Sequence, residues 1–225
     1  SMTLQKGVVR VDGIVDPYTF SGGVVDSFEI SAAHGAIPTL KASFVFKDMA
    51  TATSYATPSY VSSPSLFHFA QGAITIGGSV TEPTTTAIAS GGTSVATVTD
   101  FSVKVDNKLN ADRYAYGGAG KMSQPTYGLR DVGGKLTIEY DSQTMTTAYI
   151  ADTELALTLT FTSAESLSTG VATLQIVLPA IKLNGELPKT NGTDLITQSV
   201  DFDVLDNLSA APPIWCVLRT ADTAL

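Results

Sequence analysis

A chain of 225 residues that is 44% hydrophobic is long and apolar enough to fold around a substantial core, which excludes disorder as its default state. Only 15% of its residues are charged, against roughly 25% in ordinary soluble domains, so much of its surface is expected to be covered by neighbours. Thirteen Lys and Arg against 21 Asp and Glu give a formal charge of −8, which excludes gripping a nucleic-acid backbone by counterion release but suits a surface that repels DNA.

No apolar run approaches the roughly 18 residues that a bilayer span needs, and no signal peptide opens the chain, so a mature soluble or virion-type protein without a membrane partner is expected. Ser1-Met2 matches the remnant of a cleaved tag and is set aside from the fold. Residues 4 to 20 read as one or two short strands broken by Asp12-Gly13 and Asp16-Pro17, and Ser21-Gly22-Gly23 as a turn. VVDSFEIS then puts Val24, Phe28 and Ile30 on one face. TLKASFVFKD supplies a hairpin partner, with Leu40, Ala42, Phe44 and Phe46 alternating against Lys41, Ser43, Val45 and Lys47. Residues 49 to 64 lack any period and read as a long surface loop, LFHFAQGAITIGG restores strand character, and residues 82 to 96 read as a second loop or a loose hairpin tip.

From Thr97 the alternation is strongest. Phe101, Val103 and Val105 alternate with Ser102, Lys104 and Asp106; Leu136, Ile138 and Tyr140 with Thr137, Glu139 and Asp141; Leu155, Leu157, Leu159 and Phe161 with Ala156, Thr158 and Thr160. A period of two over three runs means strands with one buried and one wetted face. Between the first two, residues 110 to 132 form a glycine- and tyrosine-bearing loop. DSQTMTTAYIAD predicts one short helix capped by Asp141 or Ser142. Beyond it, Leu174, Ile176 and Leu178 share a face before Pro179 forces an edge or bulge, and Asn184-Gly185 and Asn191-Gly192 read as turns. Val200, Phe202 and Val204 mark a further strand, and PIWCVLRT the last, in which Cys216 is expected to be a small buried residue. The expectation is one antiparallel, mainly β domain over residues 3 to 225, of roughly ten strands.

Catalytic and ligand motifs are weak. His34 and His68 have no Cys or His at metal-ligand spacing and no G-x-S-x-G elbow beside them. Gly117-Gly118-Ala119-Gly120-Lys121 lacks the earlier glycine and the following Ser or Thr of a phosphate loop. The carboxylate pairs Glu139/Asp141 and Asp201/Asp203 would serve a hydrolase only if a cleft gathered them. No cofactor, no metal and no enzymatic activity are expected. Charge placement says more: Lys104, Lys108, Arg113, Lys121, Arg130 and Lys135 crowd between 104 and 135, whereas residues 190 to 218 hold Asp194, Asp201, Asp203 and Asp206 with no Lys or Arg. Such a polarity suits head-to-tail association, which builds rings or filaments.

VTDFSVKVDNKL with its Asn107, the segment closing on Tyr127-Gly128-Leu129-Arg130-Asp131-Val132-Gly133-Gly134, KLTIEYDS and LALTLTFTS, flanked by YTFSGGVVDSFEISAAHGA and VLPAIKLNGELP, together resemble the major tail tube proteins of long-tailed bacteriophages. The resemblance covers most of the chain from Tyr18 to Leu205. It implies a β-sandwich or barrel with one flanking helix and subunits that form stacked hexameric rings. It also implies a hollow virion tail, assembled in the bacterial host cytoplasm, through which DNA passes without specific binding. Its partners would be further copies of the chain and other tail proteins. Family members usually carry a longer segment before the YTFSGG-like strand, so a trimmed N-terminus is expected. On this reading Lys104, Lys108, Arg113, Arg130 and Asp131 are candidates for a subunit interface, and Asp201 and Asp203 for the lumen or the opposite contact. The alternative is a carbohydrate- or surface-binding β-sandwich module using the Tyr-rich loops at 55 to 60 and 114 to 127.

Overall fold

The computed structural model describes residues 1–59, 66–95, 97–117, 123–168, 170–185, 188, 195–206 and 212–220. Among them are thirteen strands and one short α-helix, the mainly β, antiparallel fold that the alternation predicts. By its contacts the chain groups into two compact units. Unit 1 comprises residues 1–29, 41–64 and 105–131; unit 2 comprises residues 30–40, 65–104 and 132–225.

Unit 1 starts from a hairpin of β1 (Met2–Val9) and β2 (Val15–Ala32). Gly13, at φ +83, makes its turn, and the Arg10 guanidinium clamps Asp16 with two hydrogen bonds of 2.6 and 2.5 Å. That clamp holds the Asp16 carboxyl below its ordinary pKa. Met2 pairs with Gly23 and so belongs to the fold rather than preceding it.

Two sequence expectations fail here for one reason. Asp16-Pro17 and Ser21-Gly22-Gly23 do not turn the chain, because β2 runs through both for 18 residues. Proline costs a strand one donor but keeps an extended φ, and Pro17 sits opposite Gly7. Met2 pairs with Gly23 and Leu4 with Phe20, so two steps of β1 face three of β2, and Gly22 at φ +66 absorbs the extra residue as a bulge. β3 (Thr39–Val45) pairs with β2 as expected, and the short β4 (Asp48–Ala50) pairs with it at residues 19 to 21. The apolar face expected of β3 is only partly covered: Phe46 packs on Phe20 and Phe44, while Leu40 is 66% exposed.

Unit 2 is built on β11 (Gly170–Gly185). On one side it pairs with β10 (Leu155–Leu167), which in turn pairs with β5 (Gly72–Ile76). On the other side two strands lie end to end, β12 (Thr197–Val204) along residues 181 to 185 and β13 (Trp215–Arg219) along residues 173 to 177. β9 (Asp131–Glu139) pairs with β12, and β8 (Val98–Asp106) follows it in hydrogen-bonded order. The predicted inward residues form the core: Phe101, Val103, Leu136, Ile138, Leu157, Leu159, Phe161, Val200 and Phe202 are buried. β11 departs from the one-faced expectation, because Val177 and Ala180 are buried along with Ile176, Leu178 and Ile181. The helix α1 (Thr144–Ile150) packs against this strand.

Local differences have local causes. Pro179 does bring a bulge, since Leu157 faces Leu178 while Leu155 faces Ile181. Asn184-Gly185 is no turn, because β12 holds both residues in register with Asp201 and Val200. α1 begins after Gln143 without a side-chain cap, and Ser142 Oγ bonds Thr144 Oγ1 at 3.1 Å instead. His68 leaves the strand run to cap a single 3₁₀ turn at residues 69 to 71, its Nδ1 accepting from the Ala70 N–H while its own N–H donates to Gln71 Oε1. Cys216 is exposed on β13 rather than buried, although neighbouring protein excludes enough water to raise its thiol pKa. The second expected turn, Asn191-Gly192, lies outside the described residues.

Gly134 shows how tightly β9 is packed. A Cβ there would meet the Ser102 carbonyl oxygen and the Phe202 ring that covers the glycine. Gly134→Ala is expected to destabilise the protein by about 1–3 kcal/mol through overpacking. Gly185→Ala, where the nearest atoms are 3.6 Å away, is expected to be nearly neutral. Denaturant unfolding of the two variants measures the difference.

Candidate subunit interface

The loop leaving β8 is a braced finger. Asn107, 6% exposed, is its anchor: its N–H donates to Asp26 O (2.8 Å), its Nδ2 donates to Val25 O (3.0 Å), and its Oδ1 accepts from Arg130 Nε (2.9 Å). Its carbonyl accepts from the Gly128 N–H (3.1 Å), so one buried side chain and its backbone fix both feet of the loop on β2. A Cβ at Gly128 would sit 2.5 Å from the Lys108 carbonyl oxygen, so the feet close only on glycine. Farther out, Asn110 and Thr126 pair with each other, Ser123 N–H donates to Arg113 O, and Arg113 Nη1 donates to Gln124 O.

Charges gather at the feet. Lys108 takes a left-handed backbone (φ +46); its N–H donates to Asp106 Oδ1, and its Nζ lies 3.0 Å from Asp106 and 3.5 Å from Asp131. The hydrogen bond to Asp106, and then its charge, raise the Lys108 pKa. Lys108, Arg130 and Asp131 are thus brought together around Asn107, and Arg113 is spent on bracing the finger. Lys104 is exposed on β8, in unit 2. Asp201 and Asp203 project from β12 in unit 2: Asp201 lies 3.9 Å from Lys135, and Asp203 accepts from Asn184. Most of the glycine-rich segment around Lys121 lies outside the described residues. No group of three or more potential metal ligands occurs among the described residues.

The two units differ more than their strands suggest. Unit 1 carries eight basic and eight acidic residues, unit 2 five and thirteen, so the whole formal charge of −8 resides in unit 2. Apolar exposure runs the other way. Of nineteen exposed large hydrophobic residues among those described, twelve lie in unit 1, among them Val9, Val11 and Ile14 at the β1–β2 turn and Tyr114, Tyr116, Tyr127 and Leu129 on the finger. A charge-balanced surface bearing exposed apolar side chains suits a protein contact.

The model of the phage tail tube protein family matches residues 1–204, from the start of the chain to the last residue of β12. The chain belongs to the phage tail tube protein family. It is accordingly a structural protein of the virion tail. No curated protein matches it. The match takes in both units, the finger and every candidate interface residue; β13, with Cys216, lies beyond it.

Sequence reasoning located the charged finger of this tail tube protein but not its anchor, although a polar residue ending the apolar alternation of VTDFSVKVDN is a usable signal. It placed the turn at Asp12-Gly13 but missed that Val9, Val11 and Ile14 around it stay exposed, since they read as strand residues when met in line. Asn107→Ala leaves Val25 O and the Arg130 guanidinium without their partner and is expected to cost about 1–3 kcal/mol. Amide hydrogen exchange is expected to rise selectively over residues 107 to 113 and 123 to 128, as mass spectrometry would show.

Proposed function

We propose that this tail tube protein self-associates head to tail into hexameric rings that stack into a hollow conduit for DNA. The observation that carries the reading is the partition between the units: one is charge-balanced with exposed apolar residues, the other strongly acidic. Unit 1 then supplies subunit contacts, with the finger held in shape by Lys108, Arg113, Arg130 and Asp131, and Lys104 adds a cation from β8. The acidic unit 2 contributes Asp201 and Asp203 to the lumen, where like charge keeps DNA phosphates from sticking while the duplex slides. At physiological salt that repulsion reaches about 8 Å, enough to act across a narrow channel wall. Ring closure also pairs or covers strand edges that a free subunit leaves open. The six-fold ring is what the resemblance to major tail tube proteins implies, and assembly takes place in the host cytoplasm with other tail proteins as partners. The role is structural, with no catalytic step.

Val11 and Leu129 are almost fully exposed, so replacing them leaves the subunit core intact. The double variant Val11→Asp, Leu129→Asp is expected to fold as the parent does, by circular dichroism, yet to yield no rings or tubes in negative-stain electron microscopy under conditions where the parent assembles. Normal tubes from the variant, or a parent that stays monomeric at high concentration, would overturn the proposal.

A further inference from the structure

Residues 77 to 92 form a hairpin arm with a glycine pair on each strand. Gly77 and Gly78 both hold φ +74, and opposite them Gly91 and Gly92 hold +92 and +82. Inward of the pairs, Thr75 bridges to Ser94, Ile76 N–H donates to Thr93 O and Val95 N–H donates to Ile74 O, which ties the root of the arm to β5. Outward, β6 (Val80–Thr81) and β7 (Ser90–Gly91) make a second ladder. The tip is closed by Thr84, whose N–H donates to Ala87 O and whose Oγ1 accepts from Thr86 and Ala87 N–H. Gly92 N–H donates to Ser79 O (2.9 Å), Thr93 N–H to Gly77 O (3.0 Å) and Gly77 N–H to Ala156 O (2.7 Å), so the root and the outer ladder are joined by few hydrogen bonds at four residues whose backbone is the freest available.

One side chain holds this arm to the sheet from below. Gln175, 2% exposed in the middle of β11, accepts from the Ala89 N–H (2.7 Å) through Oε1 and donates to the Ala89 carbonyl (3.1 Å) through Nε2. Its Nε2 also donates to Thr160 Oγ1 on β10 (2.9 Å), which orients the amide. The glutamine thus offers Ala89 what a neighbouring strand would, a donor and an acceptor. An apolar residue would fill the same place without burying an amide. A polar latch, however, is directional, so closure fixes one position of the arm. Thr158, two residues from Thr160 on the same face of β10, keeps a buried hydroxyl with no hydrogen-bond partner.

We propose that residues 79 to 90 are a hinged arm that swings off β10 and β11 as a unit, pivoting at the two glycine pairs, with Gln175 as its latch. Opening frees the Gln175 amide and releases both backbone groups of Ala89 for another partner, while β5 and β10 keep their ladder. The arm is a device of the single subunit and does not depend on ring formation.

Hydrogen–deuterium exchange on the full chain tests this. In the parent, amides of residues 80 to 91 are expected to exchange faster than those of residues 157 to 161 and 174 to 178. In Gln175→Leu the arm amides are expected to accelerate by at least about tenfold, since two hydrogen bonds are lost, with the sheet amides unchanged. If Gln175→Leu does not fold, Thr160→Val removes only the bond that orients the amide and is expected to give a smaller acceleration confined to the same residues. An unchanged arm rate, or arm and sheet amides accelerating together, would overturn the proposal, because either result means that no independent opening is governed by Gln175.

Discussion

Strand β11 is the constraint on which unit 2 depends. It must bury apolar side chains on both faces while pairing with three other strands, β10 along one edge and β12 and β13 in tandem along the other. Antiparallel strands usually keep one face wet. Burying both requires covers, and α1 and the arm around Ala89 lie against it. The bulge at Pro179 follows from the same demand, because it lets one long strand stay paired with β10 while it accommodates a residue that donates no hydrogen bond.

Unit 1 is solved differently. Its hairpin and finger are held by polar anchors, Arg10 on Asp16 and Asn107 on β2, rather than by a deep apolar core, and much of its apolar surface is left outside. Such an arrangement is costly for a solitary subunit and sensible for one that spends its working life against copies of itself. The separation of charge fits the proposed division of roles, with unit 1 charge-balanced and unit 2 carrying the net charge of −8.

How much of this was legible depends on whether pairing or sequence decides the local outcome. Val103, Leu136, Leu157 and Phe202 were readable as core because strict alternation admits few other folds. Pro17, Gly22 and Gly185 were misread because proline and glycine mark turns and bulges alike, and only the partner strand distinguishes them. β11 was read as one-faced since a cover supplied from distant sequence leaves no local trace. The candidate charges near Asn107 were found, but their involvement with one another was not, because Lys108, Arg130 and Asp131 meet only once the feet of the finger close. Gln175 was missed although a lone amide inside TLQIVLP is a visible anomaly. The N-terminal pair Ser1-Met2 was set aside too readily, since Met2 is already paired.

The central claim is that unit 1 is the contact surface and the acidic face of unit 2 the open one. Hydroxyl-radical footprinting of the free subunit and of the assembled tube, read residue by residue by mass spectrometry, tests it most directly. The account predicts strong protection on assembly at Val9, Val11, Ile14, Tyr116 and Leu129, with the strand bearing Asp201 and Asp203 still labelled. Protection confined to that acidic strand, with the β1–β2 turn and the finger labelled as before, would contradict it.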